Sequence, residues 1–322
     1  MNAPPDAPPP RRRVSRQRYI ARRIGVAAVL ALGLFGLVKA AGALTGGDGE
    51  ASGEGQGTTT SDPATSATSA AVAAATTAES TADTTVAPPT TVPATGPPSA
   101  DNPARLLVVG DSDAGTFGPY LETLMDDTGL VDSEIDYKVS SGLSRPDFFD
   151  WPAHATGKVE EIDPDIVVVT FGGNDAQGMA TLDGEFPPEW ADPVGGRDTW
   201  FPEYRRRAGE FVDVLADDQR TIIWVGIPND DNPEVTERLA VQDEAVRAAL
   251  AKRPAVIFVD TWRRFSGRDG NWAEYVIDPR DGRGKDVRAE DGFHLNENGA
   301  EILALDIAEV IRADLEARGA DL

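Results

Sequence analysis

Leu106-Leu107-Val108-Val109-Gly110-Asp111-Ser112 is the stretch from which the fold follows. Four apolar residues in a row read as a strand covered on both faces, and the Gly-Asp-Ser closing it reads as a turn that carries a hydroxyl off the strand's carboxyl end. Four further apolar, β-branched runs occur at 135–139, 166–171, 221–225 and 255–259. Helical patterns lie between and after them, at 120–125, 204–215, 235–251 and 300–317. Alternating β and α elements predict a doubly wound α/β fold, a parallel sheet with helices on both faces. In such sheets ligands bind beyond the carboxyl ends of the strands, and Ser112 follows the first of them.

Three later blocks converge on the same edge. Gly142 follows the second run, Gly172-Gly173-Asn174-Asp175 follows the third, and Asp291-Gly292-Phe293-His294 precedes the last helix. A serine hydroxyl is a weak nucleophile at neutral pH until a base takes its proton, and an imidazole facing a carboxylate suits that task. The chain has two histidines. His294 stands three positions after Asp291, whereas His154, in Trp151-Pro152-Ala153-His154, reads as structural or solvent-exposed.

Together the four blocks, in this order, resemble the SGNH hydrolases, also called GDSL-type lipases and esterases. The resemblance covers residues 104–322 and implies a three-layer, flavodoxin-like strand order. It implies Ser112 as nucleophile, His294 as base and Asp291 as its orienting partner. It also implies an oxyanion hole made by the N–H groups of Ser112 and Gly142 and the side-chain amide of Asn174. Gly142 fits because a residue without Cβ lets backbone approach substrate closely. Asp111 and Asp175 read as fixing loop hydrogen bonds. The family often has Leu after the serine, and this chain has Asp113 instead. An inward carboxylate there would oppose an oxyanion; capping of the following helix is the preferred reading.

Arg145, three residues past Gly142, is a candidate for binding a substrate anion, with a salt bridge to a neighbouring acid as the alternative. The insertion 181–199, rich in Pro, Gly, Asp and Trp, reads as a lid or specificity loop. Asp278, Asp281 and Asp286 are interleaved with Arg280, Arg283 and Lys285, which argues for a solvated loop and against calcium. No metal and no cofactor is expected.

The 322 residues include no Cys, so disulfides and thiolate metal sites are excluded. Charge divides the chain sharply. Residues 1–45 carry eight basic residues and one acid, residues 46–101 seven acids and no base, and the remainder alone carries a net charge of −24. So acidic a domain does not suit nucleic acid, whose phosphates need a basic footprint. Residues 1–23 form an arginine-rich tail, followed by an apolar segment over 24–44 of about the twenty residues that span a bilayer. The positive-inside rule then keeps the N-terminus cytoplasmic and exports the rest. A signal peptide cleaved after Ala41-Gly42-Ala43, giving a secreted protein, is the alternative. Residues 45–103, rich in Thr, Ser, Ala and Pro, read as a disordered tether.

The expectation is a single-pass membrane protein with an extracytoplasmic domain at 104–322. That domain is read as a serine esterase hydrolysing small, acetyl-type esters on cell-envelope glycans. Its partners are then an acylated small molecule or glycan and the membrane, and no nucleic acid. An O-acyltransferase using the same serine, and a non-catalytic envelope-binding module, are the alternatives.

Overall fold

The computed structural model describes residues 96–322. The tail at 1–23, the anchor at 24–44 and most of the tether lie outside the described residues. Among the described residues no helix is long and apolar enough to cross a membrane.

Five strands, β1 (Ala104–Gly110), β2 (Val131–Tyr137), β3 (Ile166–Thr170), β4 (Thr221–Val225) and β5 (Ile257–Val259), form one sheet in the order β2-β1-β3-β4-β5. Every pairing is parallel. This is the flavodoxin-like order, with its switch point between β1 and β3, where chain connections diverge and open a crevice. Both faces of the sheet are covered. Leu106, Val108, Ile166 and Val168 pack against α1 (Ser112–Asp126) and α6 (Glu297–Ala317). Leu107, Val109, Val167 and Val169 point the other way, toward α2 (Trp151–Ile162), α3 (Arg197–Leu215) and α4 (Pro233–Leu250), and a short α5 (Thr261–Arg264) follows β5. A two-sided burial of successive residues is what an unbroken apolar run requires.

The expected elements differ from the observed ones where small or polar residues do the packing. Helix α1 begins at Ser112, well before 120, because Gly115 and Gly118 are contact points: a Cβ on either would meet the Tyr137 ring or Ile135. Strand β2 starts at Val131 and ends at Tyr137, and it is a sheet edge with Asp132 and Glu134 exposed, so it is not the buried strand expected over 135–139. Its alternation of apolar and acidic residues is the period-two signal of a half-covered strand. Helix α2 was not expected. Asp150 caps it by accepting from Ala153 N, and Pro152 sits in its first turn, where a missing N–H costs nothing. Residues around 278 form a small hairpin, β6 (Tyr275–Ile277) with β7 (Gly284–Asp286), whose connection 279–283 is exposed as a solvated loop should be, while Asp278 departs from that reading, buried against Arg280 at 2.8 Å.

Leu106, fully buried at the sheet centre, should lose about 2–5 kcal/mol on truncation to Ala. Asp132→Ala on the exposed edge should stay within about 0.5 kcal/mol of the parent. Urea unfolding of the two variants measures both.

Candidate active site

Gly110 ends β1, and the chain turns through Asp111 into α1, whose first residue is Ser112. Asp111 caps that helix: its Oδ1 accepts from Asp113 N at 3.0 Å. Its Oδ2 accepts from Gly172 N at 2.7 Å and from Asn174 Nδ2 at 3.4 Å. One carboxylate thus joins the first block to the third. Asp175 joins the third to the second. It accepts from Leu143 N and Ser144 N, both at 2.8 Å, and from the Tyr204 hydroxyl at 2.7 Å, while Ser144 Oγ donates to its carbonyl at 2.9 Å. Both aspartates are fully buried, and the donors compensate the lost water. Burial raises both above the ordinary carboxylate range, and for Asp111 the charge of Asp113 adds to the rise.

His294 reaches this edge from the loop before α6. Ser112 Oγ lies 3.0 Å from its Nε2, and Asp291 Oδ2 lies 2.5 Å from its Nδ1. Asp291 Oδ1 also accepts from Phe293 N and His294 N, which fixes the loop around the ring. Underneath, the buried Arg288 donates to the carbonyls of Asn229, Phe293 and Phe265 and to Asn229 Oδ1, so a side chain absent from the sequence reading braces the histidine loop. A lone Arg in Asp286-Val287-Arg288-Ala289 gives no signal of this; burial of its charge pulls its pKa down to about 10. Burial would lower the His294 pKa, but the Asp291 hydrogen bond and the charges of Asp113, Asp291 and Asp111 outweigh it and push it up to about 9.

The expected oxyanion donors are placed as follows. Ser112 N is at the open N-terminal end of α1, and among the described residues neither it nor Gly142 N donates to a protein acceptor. The Asn174 amide has the single long contact to Asp111. Gly142 owes its identity to another neighbour than substrate: a Cβ there would lie 2.0 Å from Asp175 Oδ1. Asp113 does not cap α1, which corrects that reading. Asp111 is the cap, and Asp113 Oδ2 fills the space where a Cβ on Gly172 would stand, 1.8 Å away.

Arg145 forks onto Asp147, with both bonds at 2.9 Å, and stacks over Phe186, so its guanidinium is engaged in the salt-bridge alternative. His154 Nε2 pairs with Asp136 at 2.6 Å, remote in role from the serine. Beside Gly142 lies a cleft of about 320 Å³, floored by Leu143, Phe149 and Trp151 and walled by Leu182 and Trp190 of the 181–199 insertion. Among the described residues no group of acids and histidines could hold a metal ion.

The strand order is flavodoxin-like, and Ser112, His294 and Asp291 stand within hydrogen-bond reach of one another, as the resemblance to the SGNH hydrolases implies. A family model described as "Protein of unknown function (DUF459)" matches residues 105–310. No curated protein matches. Among solved structures, a GDSL-like lipase from Bacteroides thetaiotaomicron is 15% identical over 65% of this chain and 88% of that chain, with a TM-score of 0.43. The C-terminal catalytic domain of peptidoglycan O-acetyltransferase A from Streptococcus pneumoniae is 15% identical over 66% and 96%, with a TM-score of 0.42. The psychrotrophic esterase EstA from Pseudoalteromonas sp. is 12% identical over 66% and 98%, with a TM-score of 0.41.

If His294 accepts the serine proton, only its neutral form is competent, so kcat/KM should rise with pH through about 9, well above the 6.5 of a free histidine. At pH 7 the rate should be about one-hundredth of the alkaline plateau. A pH profile of ester hydrolysis reads this directly. Gly142→Ala should lower Tm and activity together, since its methyl displaces the Asp175 carboxylate; thermal unfolding and ester turnover check the pair.

Proposed function

The chain belongs to the family described as "Protein of unknown function (DUF459)", and from the site that it carries we propose a serine esterase acting on small acyl esters. The observation that carries the reading is the continuous line from Ser112 Oγ to His294 Nε2 at 3.0 Å and from His294 Nδ1 to Asp291 Oδ2 at 2.5 Å. In this reading Ser112 Oγ attacks the ester carbonyl while His294 takes its proton. Asp291 holds the ring in the tautomer that can do so and stabilises the imidazolium without accepting its proton. The negative oxygen of the tetrahedral intermediate is met by the N–H groups of Ser112 and Gly142 and by the Asn174 amide, donors that exist before substrate arrives. His294 then returns the proton to the leaving alcohol, and water, activated in the same way, releases the acid from the acyl-serine.

The setting of this chemistry is proposed from sequence. An arginine cluster followed by an apolar segment over 24–44 and a long Thr/Ser/Ala/Pro-rich tether supports a membrane-anchored, extracytoplasmic domain sampling nearby polymer. Acylated cell-envelope glycans are the substrate class that such placement favours. External protease should then release a soluble domain from intact cells, and a secreted protein starting near residue 44 would replace the anchor with a cleaved signal.

Wild-type protein should be labelled by a fluorophosphonate probe and hydrolyse short-chain nitrophenyl esters, and Ser112→Ala should do neither while keeping its Tm. Labelling that survives in Ser112→Ala refutes the assignment. Asn174→Ala should lower kcat by about 10²–10³ with KM nearly constant, because its bond strengthens as the oxyanion forms. Asp291→Asn should cost up to about 10⁴. Product analysis with a glycan acceptor present distinguishes hydrolysis from acyl transfer.

A further inference from the structure

Asp291 and His294 are separated by Gly292 and Phe293, and Gly292 sits in left-handed backbone at a φ of +80°. A glycine lets the peptide that follows it rotate at little steric cost, so that peptide must be held if the pair is to keep its geometry. Gly292 cannot supply the restraint through a side chain of its own, because a Cβ there would lie 2.3 Å from Asp231 Oδ1.

The restraint comes from outside the loop. Trp272 Nε1 donates to the Gly292 carbonyl at 2.7 Å. A peptide is planar, with its carbonyl and its N–H on opposite edges, so holding the oxygen aims the N–H. The N–H of this same peptide belongs to Phe293, and it donates to Asp291 Oδ1 at 3.1 Å. The next peptide repeats the arrangement, with Arg288 on the Phe293 carbonyl at 2.9 Å and the His294 N–H on the same Oδ1 at 3.0 Å. Two N–H groups thus occupy Oδ1 and leave Oδ2 facing His294 Nδ1 at 2.5 Å. Trp272 is itself anchored. The Arg288 guanidinium lies against its ring, 5.7 Å from the centroid, Arg288 Nε donates to the Ala273 carbonyl at 3.3 Å, and an antiparallel bridge pairs Trp272 with Ser266. The segment that delivers it is a surface loop, exposed over 268–271.

We propose that Trp272 is a positioning residue for the reaction: its indole N–H, by holding the Gly292 carbonyl, fixes the peptide that presents Phe293 N–H to Asp291 and so keeps Asp291 set on His294. The inference rests on the reading of Ser112, His294 and Asp291 as the proton relay. Indole suits the task, since it is a donor only and its large ring packs on Arg288 while the N–H reaches inward. Without that bond the peptide after Gly292 is free to turn, Phe293 N–H leaves Oδ1, and the carboxylate can swing away from the imidazole. The base then spends less time in the geometry that takes the serine proton, which lowers the rate of attack and leaves substrate binding as it was.

Two replacements in the full-length protein test this. Trp272→Phe keeps an aromatic ring and removes the donor, and β-(3-benzothienyl)alanine, introduced at 272 by amber suppression, keeps the shape of the indole and removes only the N–H. Each should lower kcat for nitrophenyl ester hydrolysis about fivefold, the equivalent of one neutral hydrogen bond, with KM nearly unchanged. In ¹H NMR the low-field Nδ1 proton shared by His294 and Asp291, identified as the imidazole signal that persists in His154→Gln, should move upfield as their bond lengthens. A merely structural Trp272 would lower Tm and leave the resonance in place. The benzothienyl protein decides the matter even where Trp272→Phe fails to fold. An unmoved resonance in it, or an unchanged kcat in a protein that hydrolyses esters, would overturn the proposal. A protein whose resonance moves but that never turns over an ester refutes the esterase reading and leaves the hold of Trp272 on Asp291 standing.

Discussion

A carboxylate taken out of water must be met by donors, and in this protein that requirement positions the site. Asp175 is fully buried and collects two backbone N–H groups from the 142–144 loop and the Tyr204 hydroxyl from α3. Each bond is short because a charge in an apolar interior is costly when unpaired. The consequence is mechanical. The loop carrying Gly142 cannot move relative to the turn carrying Asn174 without exposing that charge to nothing. Asp111 applies the same constraint between the start of α1 and Gly172. The three loops that bring Ser112, Gly142 and Asn174 to one edge are therefore tied by two side chains that need never touch substrate.

Steric room for those carboxylates comes from glycine. At 142 and 172 a Cβ would fall on an aspartate oxygen, belonging to Asp175 and Asp113 respectively. The glycines of the blocks are thus explained by what packs behind them. Tyr204, which donates to Asp175, also accepts from the Gln242 amide, and that amide reaches the carbonyls of Phe171 and Gly172. The polar network passes from the site into α3 and α4 without a break, which suits a preorganised pocket whose donors must not relax when charge develops.

How much of this was legible in the sequence depends on the kind of residue. Strands β1, β3 and β4 announce themselves because both faces are buried and the runs are apolar without interruption. Strand β2 was misplaced because an edge strand needs only one apolar face, and its acids hid it. Helix α1 was truncated because glycines packed against Ile135 and Tyr137 look like helix breakers from sequence alone. The serine, histidine and aspartate were readable through spacing and block order. Arg288, Tyr204 and Gln242 were not, since a solitary polar residue carries no periodicity and its burial is a property of the fold. Asp113 was read as a cap because its position in the first turn favours an acid; that task falls to Asp111, two residues earlier, at the N-cap position itself.

An imidazole surrounded by anions has opposing effects on folding and on chemistry, and their signs can be worked out. The folded-state pKa of His294 lies near 9, above the 6.5 of an unfolded chain, so its contribution to stability is fully present below about pH 6.5 and disappears as pH rises through 9. That contribution is up to about 3 kcal/mol. On the proposed function, the competent, neutral base appears over the same interval. The site is therefore most stable in the protonation state that cannot begin the reaction, and becoming reactive costs it part of the attraction between His294 and its carboxylates. The cost is recovered within each turnover. In the proposed esterase reaction, as Ser112 gives up its proton the imidazolium forms again, and Asp291 and the neighbouring acids regain their cation as the transition state is reached. An interaction that is weak in the reactive ground state and strong at the barrier top accelerates the chemical step. In the proposed reaction the acidity around His294 thus opposes turnover at neutral pH and supports it once the base is free.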